Sequence, residues 1–284
     1  MQKAYGKNNA QSIFGVHQIS SSNQIRNILD SIPPTTVFLV LAGIGDDLHK
    51  QGYLDSFRTL DNHLLLALDG TEFFSSEKIT CPSCTTQTLK NGLTCYRHTA
   101  ITPVIVAPGQ SQVVPLAPEF IQAQEGQSKQ DCEISAAKRW LTAWGTHYAP
   151  WQVTLFGDDL YCHQPFCQAA IDQGFQVLLV CKPDSHGVLY EWLADFERAG
   201  QIGTFEHRRW NGKQRLTERY RYMNQLPLRN ADDALHLNGC ELTVTDEAGK
   251  VKYQNAWATT HTVTEANVVD IVAAGRARWK IEND

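Results

Sequence analysis

The sequence is short of several things, and each shortage removes a class of protein. No apolar run exceeds VFLVLAGIG at 37–45, far below the roughly 20 residues a helix needs to cross a bilayer, so no membrane span is expected. The N-terminal MQKAYGKNNAQS has no apolar segment behind its charges; no secretory leader is expected, and the expected compartment is the cytoplasm. Charge of one sign is scarce: a formal net charge of −5 over 284 residues gives no global hint of a polyanionic partner. The eight cysteines do not suggest a disulfide framework, which belongs to short secreted chains unable to build a core. Most of Cys132, Cys162, Cys167, Cys181 and Cys240 read instead as small buried hydrophobes. Internal repeats and low-complexity tracts are missing too.

What remains is ordinary globular material, 42% hydrophobic and 19% charged, enough for one large domain or two modest ones. NQIRNILDSI (23–32) has helical spacing and stops before Pro33-Pro34, and a second helix is expected from about Asp46 to Leu60. Then the period changes. LLLALDG (64–70) is a continuous apolar run, as in a strand buried on both faces. After a cysteine-bearing loop, CYRHTAITPVIVAPG (95–109) and QVVPLAP (112–118) complete an antiparallel meander. A helix at 132–145 with Ile134, Ala137, Trp140, Leu141 and Trp144 on one face follows. Strand 153–159, helix 166–174, strand 175–183 and helix 188–200 then predict a parallel portion of the same sheet. Residues 203–260 read as antiparallel strands inserted as a unit, and Thr264 caps a final helix. The expected fold is α/β: a ribonuclease-H-like mixed five-stranded sheet with flanking helices and an inserted β unit. Its expected segments are 1–62 (helical), 63–202 (core), 203–260 (insert) and 261–284 (final core helix).

Three acids draw attention by position. Asp69 and Asp158 each end a strand, and Glu282 lies on the last helix. Taken singly, the aspartates also read as turn residues and the glutamate as a surface residue. In this fold the first and fourth strands are neighbours, so acids at their ends meet at one rim. Period-two alternation puts Asp158 and Asp159 on opposite faces, so only one of them joins Asp69. Phosphodiester chemistry uses such clusters: two hard cations about 3.5–4 Å apart stabilise attacking and leaving oxygens, and magnesium takes carboxylate oxygens and retained waters.

The ordered blocks LALDGTEFFSS, CPSC, PLAPEFI, KQDCEISAAKRWL, LFGDDLYCHQPFC, KPDSH and RARWKIEN together resemble the DDE transposases of bacterial insertion sequences, over about residues 10–284. The resemblance implies catalytic, magnesium-holding Asp69, Asp158 and Glu282, two Mg2+ ions with Mn2+ as substitute, double-stranded DNA as partner (element ends and target), and a homodimer holding the two ends. It also implies a bacterial protein that is nucleoid-associated when bound to DNA. The insert resembles that of the cut-and-paste branch, whose signature is Y-x2-R-x3-E-x6-K. Arg278 and Glu282 match its centre; Gly275 stands at the tyrosine position, and the lysine would fall past residue 284. Family members usually extend further at both ends, so a truncated copy is expected. Two other functions fit the same residues: a ribonuclease-H-like nuclease without strand transfer, and a catalytically dead DNA-binding remnant.

Two further clusters complete the reading. C-x2-C-x10-C-x2-H (Cys81, Cys84, Cys95, His98) has the spacing of a small zinc ribbon; reduced cysteines in a surface excursion are the alternative. Between Glu206 and Arg229 seven basic residues face two acidic ones, a local +5 that suggests a phosphate-facing surface. Arg208, Arg209, Lys213, Arg215 and Arg278 are candidate DNA contacts, with Lys182 and His186 beside the fifth strand; a solvated face or loop is the alternative. Trp210 reads either as a base-stacking residue or as a hairpin-tip or core tryptophan.

Overall fold

The computed structural model describes residues 22–122 and 132–279. Helices α1 (Ser22–Leu29) and α2 (Pro34–Lys50) open it, followed by a 3-10 turn (Asp55–Phe57). The second helix starts a dozen residues before the expected one, because the proline pair that stops α1 also begins α2. Pro34 sits in the first turn, where a missing N–H costs nothing and φ is already helical. No single helix among the described residues is long and apolar enough to cross a membrane; α1 and α2 meet that test only jointly, across an 81° bend.

The strands follow: β1 (Arg58–Thr59), β2 (His63–Ala67), β3 (Gly70–Ser76), β4 (Thr85–Thr88), β5 (Thr94–Ile101), β6 (Val104–Val106), β7 (Val114–Pro115) and β8 (Glu119–Ile121). Helix α3 (Glu133–Tyr148) comes next, then β9 (Val153–Gly157), α4 (Gln164–Asp172), β10 (Gln176–Val180) and α5 (Gly187–Arg198). Four long strands, β11 (Gly203–Trp210), β12 (Arg215–Pro227), β13 (His236–Asp246) and β14 (Val251–Thr259), lead to α6 (Val268–Arg276) and a 3-10 turn (Ala277–Trp279).

The result is a mixed α/β structure with a ten-stranded sheet, order β11-β12-β13-β14-β10-β9-β2-β6-β7, with β1 paired to β2. Strands β2, β9 and β10 run parallel, while β6, β7 and β14 join antiparallel. Two expectations change here. The inserted strands are no separate unit: β14 pairs directly with β10, so the insert widens the main sheet. And the strand expected over 95–109 is two strands, broken at Thr102-Pro103. Pro103 has no N–H for the ladder. The first piece, β5, pairs with β3, β4 and β8 in a second, four-stranded sheet, of which β3 and β4 lie in what reads in sequence as a cysteine-bearing loop.

Both faces of the main sheet are covered, which explains the unbroken apolar run of β2. Leu64, Leu66 and Leu68 join the core beneath α3, α4 and α5, with Trp140, Leu155, Phe166, Leu179 and Leu189. Leu65 and Ala67 join the opposite core beneath α6, with Phe156, Leu178, Trp257, Val268, Ile271 and Val272. In α3 the buried face is Ala136, Ala137, Trp140, Leu141, Gly145 and Tyr148. It carries most of the expected stripe, anchored where the Trp140 indole donates to the Ala117 carbonyl (2.8 Å).

Candidate active site

Strands β2 and β9 pair in parallel with Ala67 opposite Phe156, and the Leu68 amide donates to the Phe156 carbonyl (2.7 Å). Leu65, Ala67 and Phe156 all face α6. Asp69 and Asp158 follow Ala67 and Phe156 by two residues each, just past the ends of these adjacent strands, where a continued period of two would turn them to that same face. Both are half-buried. Asp158 Oδ1 accepts the Leu160 amide (2.8 Å), and the Asp69 carbonyl accepts the Thr102 amide (3.0 Å), which tethers this rim to the second sheet.

The ambiguity between the paired aspartates resolves on alternation. Asp159 turns to the opposite side, where it accepts the Lys182 amide (2.6 Å) and the Ser185 hydroxyl and lies 3.4 Å from His186 Nε2. It is committed to holding the β10–α5 loop.

The Tyr161 phenol is pushed well above the ordinary range, first by burial, then by Glu133, with Asp69 and Asp158 adding their negative charge. The tyrosine O–H donates to Glu133 Oε1 (2.6 Å). Glu133 itself reaches Gly70: a Cβ on that glycine would lie 2.5 Å from Glu133 Oε2. Glu133 thus holds the phenol on the side of the sheet that α3 covers, while Asp69 and Asp158 act on it only as more distant negative charges. Sequence reading passes over Glu133 because it looks like the first residue of an amphipathic helix. The available signal is an acid in the first turn of α3, where the positive end of the helix dipole favours it.

Glu282 lies outside the described residues. The helix that precedes it, α6, packs on the face that carries Leu65, Ala67 and Phe156. Gly275 in α6, at the signature's tyrosine position, has no room for a side chain: a Cβ there would sit 2.6 Å from the Trp257 indole nitrogen. Arg278 is half-buried in the closing 3-10 turn. The charged groups that act on the Tyr161 phenol at this rim are all carboxylates. Carboxylate oxygens are the donors a hard cation such as magnesium takes, but among the described residues Asp69, Asp158 and Glu133 do not form a group with ligand atoms within 4.8 Å of one another.

The candidate DNA contacts divide. Lys182 is exposed. His186 is not: it is 4% exposed, packed by Asp159, Cys162 and Cys181, so the expectation of a phosphate contact from it is corrected. Its imidazole is held below the usual histidine range, chiefly by burial, against the pull of Asp159. Strands β11 and β12 form a hairpin in which Arg208 pairs with Thr217 and Trp210 with Arg215. Arg208, Trp210, Arg215 and Arg219 thus share one exposed face, and Lys213 stands at the tip. Trp210 is 62% exposed, a hairpin-tip residue rather than a core one. Arg209 turns the other way and is bound to Glu218. Burial pulls the Glu218 carboxyl upward, but Arg209 outweighs it and holds it below the usual range.

The four-residue zinc set also needs correcting. Cys81, Cys84 and His98 converge, but Cys95 does not. Three residues before His98 on β5, it faces the other side of the strand, with its sulfur toward the Tyr96 carbonyl. Most of the five scattered cysteines are buried as expected: Cys162, Cys167, Cys181 and Cys240 are, while Cys132 is exposed. No protein-family model and no curated protein matches this chain.

Proposed function

We propose that this chain is the catalytic core of a DDE-type DNA transposase with a ribonuclease-H-like fold. The observation that carries the reading is that Asp69 and Asp158 follow the ends of adjacent parallel strands, with Glu133 against Gly70. The strand order supports it: an antiparallel β2-β6-β7 meander continues on its other side through parallel β9 and β10. That is the arrangement in which first- and fourth-strand acids meet. The basic hairpin β11–β12 gives a surface for phosphates.

In this reading Asp69 and Asp158 hold divalent ions at the rim, and Glu282, carried by the segment after α6, completes the set. Glu133 is a positioning residue, fixed by the Tyr161 hydroxyl and the α3 terminus. When bound, magnesium supplies Lewis-acid stabilisation of the attacking and leaving oxygens. A water oxygen attacks phosphorus at the element end, the bond to the 3′ oxygen breaks, and that oxygen leaves as a 3′-hydroxyl. The hydroxyl then attacks a phosphodiester of target DNA, displacing another 3′ oxygen. Arg208, Arg215 and Lys213 neutralise backbone phosphates.

The test uses the full chain with Mg2+ or Mn2+, DNA flanking its own coding sequence, and a target plasmid. Cleavage and joined products are expected, and both vanish in Asp158→Ala. Cleavage without joining would point to a nuclease. Salt-sensitive DNA binding that is untouched by Asp69→Asn, with no cleavage, would point to a remnant.

A further inference from the structure

We infer that Cys81, Cys84 and His98 hold a zinc ion through three protein ligands, independently of the carboxylate rim and without Cys95. The distances carry this. Cys81 Sγ and Cys84 Sγ lie 3.6 Å apart, and His98 Nε2 lies 3.3 Å from the first and 3.4 Å from the second. Zinc binds thiolate sulfur at about 2.3 Å and imidazole nitrogen at about 2.0–2.1 Å in tetrahedral geometry. Those bond lengths require ligand-to-ligand edges of about 3.8 Å between sulfurs and about 3.6 Å from sulfur to nitrogen. The three atoms already form one face of such a tetrahedron, each edge slightly contracted. A disulfide is not the explanation, since bonded sulfurs lie about 2.05 Å apart.

The local backbone serves the same end. The Cys84 amide donates to the Cys81 carbonyl (3.1 Å) and the Cys81 amide to Cys84 Sγ (3.3 Å), a tight turn that aims both thiols one way. His98 comes from β5, whose partner at that register is Phe74 of β3, and Phe73 stacks on its ring with centroids 5.7 Å apart. Cys84 is buried and Cys81 exposed, so the fourth vertex opens outward and a water can fill it. The ion staples the turn after β3 to β5. Strand β3 leaves directly from Asp69-Gly70, so the staple fixes the far end of the ribbon that emerges from the candidate active site.

A second group, Cys162, Cys181 and His186, also brings its ligand atoms within 4.8 Å of one another. Its His186 Nε2 lies 3.4 Å from Asp159 Oδ1 without making a hydrogen bond, and all three residues are buried. This group is the internal control.

The test is metal content of the full chain after equimolar Zn2+ loading and gel filtration, with folding checked by circular dichroism. One zinc per chain is expected in the unaltered protein, in Cys95→Ser and in Cys162→Ser, and almost none in Cys81→Ser or His98→Gln. A chain that binds no zinc overturns the proposal, as does loss in Cys95→Ser or Cys162→Ser. Should the Cys81 or His98 variant fail to fold, Co2+ replacement in the unaltered chain decides. Charge-transfer intensity for two thiolates is expected, and intensity for three or none contradicts the assignment.

Discussion

Gly70 shows how one residue can bear on both function and stability. The three atoms nearest an added methyl would be the carboxylate atoms of Glu133, which the buried Tyr161 hydroxyl holds in place. Gly70→Ala is therefore expected to displace Glu133, to cost about 1–3 kcal/mol of stability as the Tyr161 hydroxyl loses its acceptor, and to lower cleavage by about 10–100-fold, the range seen when outer-shell support of a metal site is lost. Cleavage left intact would contradict this. The strand-end positions of Asp69 and Asp158 were legible in sequence because a charge at the end of an all-apolar run stands out. Glu133 was not, because a first-turn acid in an amphipathic helix has an ordinary explanation. The burial of His186 was also hidden: its loop is polar, and only Asp159 turning inward draws the imidazole under cover.

Among the elements, the α6–sheet contact and the β11–β12 hairpin make separate commitments. Gly275 of α6 presses on the Trp257 ring, a rigid buried neighbour that cannot swing away. Gly275→Ala should cost about 1–3 kcal/mol of stability, the usual penalty for overpacking, measured by denaturant unfolding; an unchanged midpoint would refute the packing. On the hairpin, Arg208 and Arg215 share an exposed face. Replacing both with alanine should weaken DNA binding and reduce the slope of log K against log salt by about 0.9 per lost phosphate contact. An unchanged slope would remove the hairpin from the interface. Periodicity made the helices and parallel strands legible. It missed β3 and β4, whose exposed polar residues, as in TTQT at 85–88, carry no apolar alternation to find.

The whole molecule couples folding to pH through buried imidazoles. His63 is held below the ordinary value of 6.5 mainly by burial, and His261 likewise, with His63 beside it. Both lie in one hydrogen-bonded group with Thr154. The unfolded chain takes up protons as the pH falls through about 6.5, while the folded chain resists until lower pH. Stability is thus full above about 6.5 and declines as the pH drops below it. Urea unfolding should show a lower midpoint at about pH 5.5 than at about pH 7.5, with a smaller gap in His261→Gln. Equal midpoints, or a reversed order, would contradict the burial assigned to these rings.

The claim on which the function rests is that acids far apart in sequence hold a divalent ion together. Paramagnetic resonance of Mn2+ titrated into the full chain tests it most directly, since bound Mn2+ loses the sharp signal of the free aqueous ion. The unaltered chain should bind Mn2+, and the Asp69→Asn, Asp158→Asn double variant should bind it at least about tenfold more weakly. Binding that is equal in the two proteins would contradict the account.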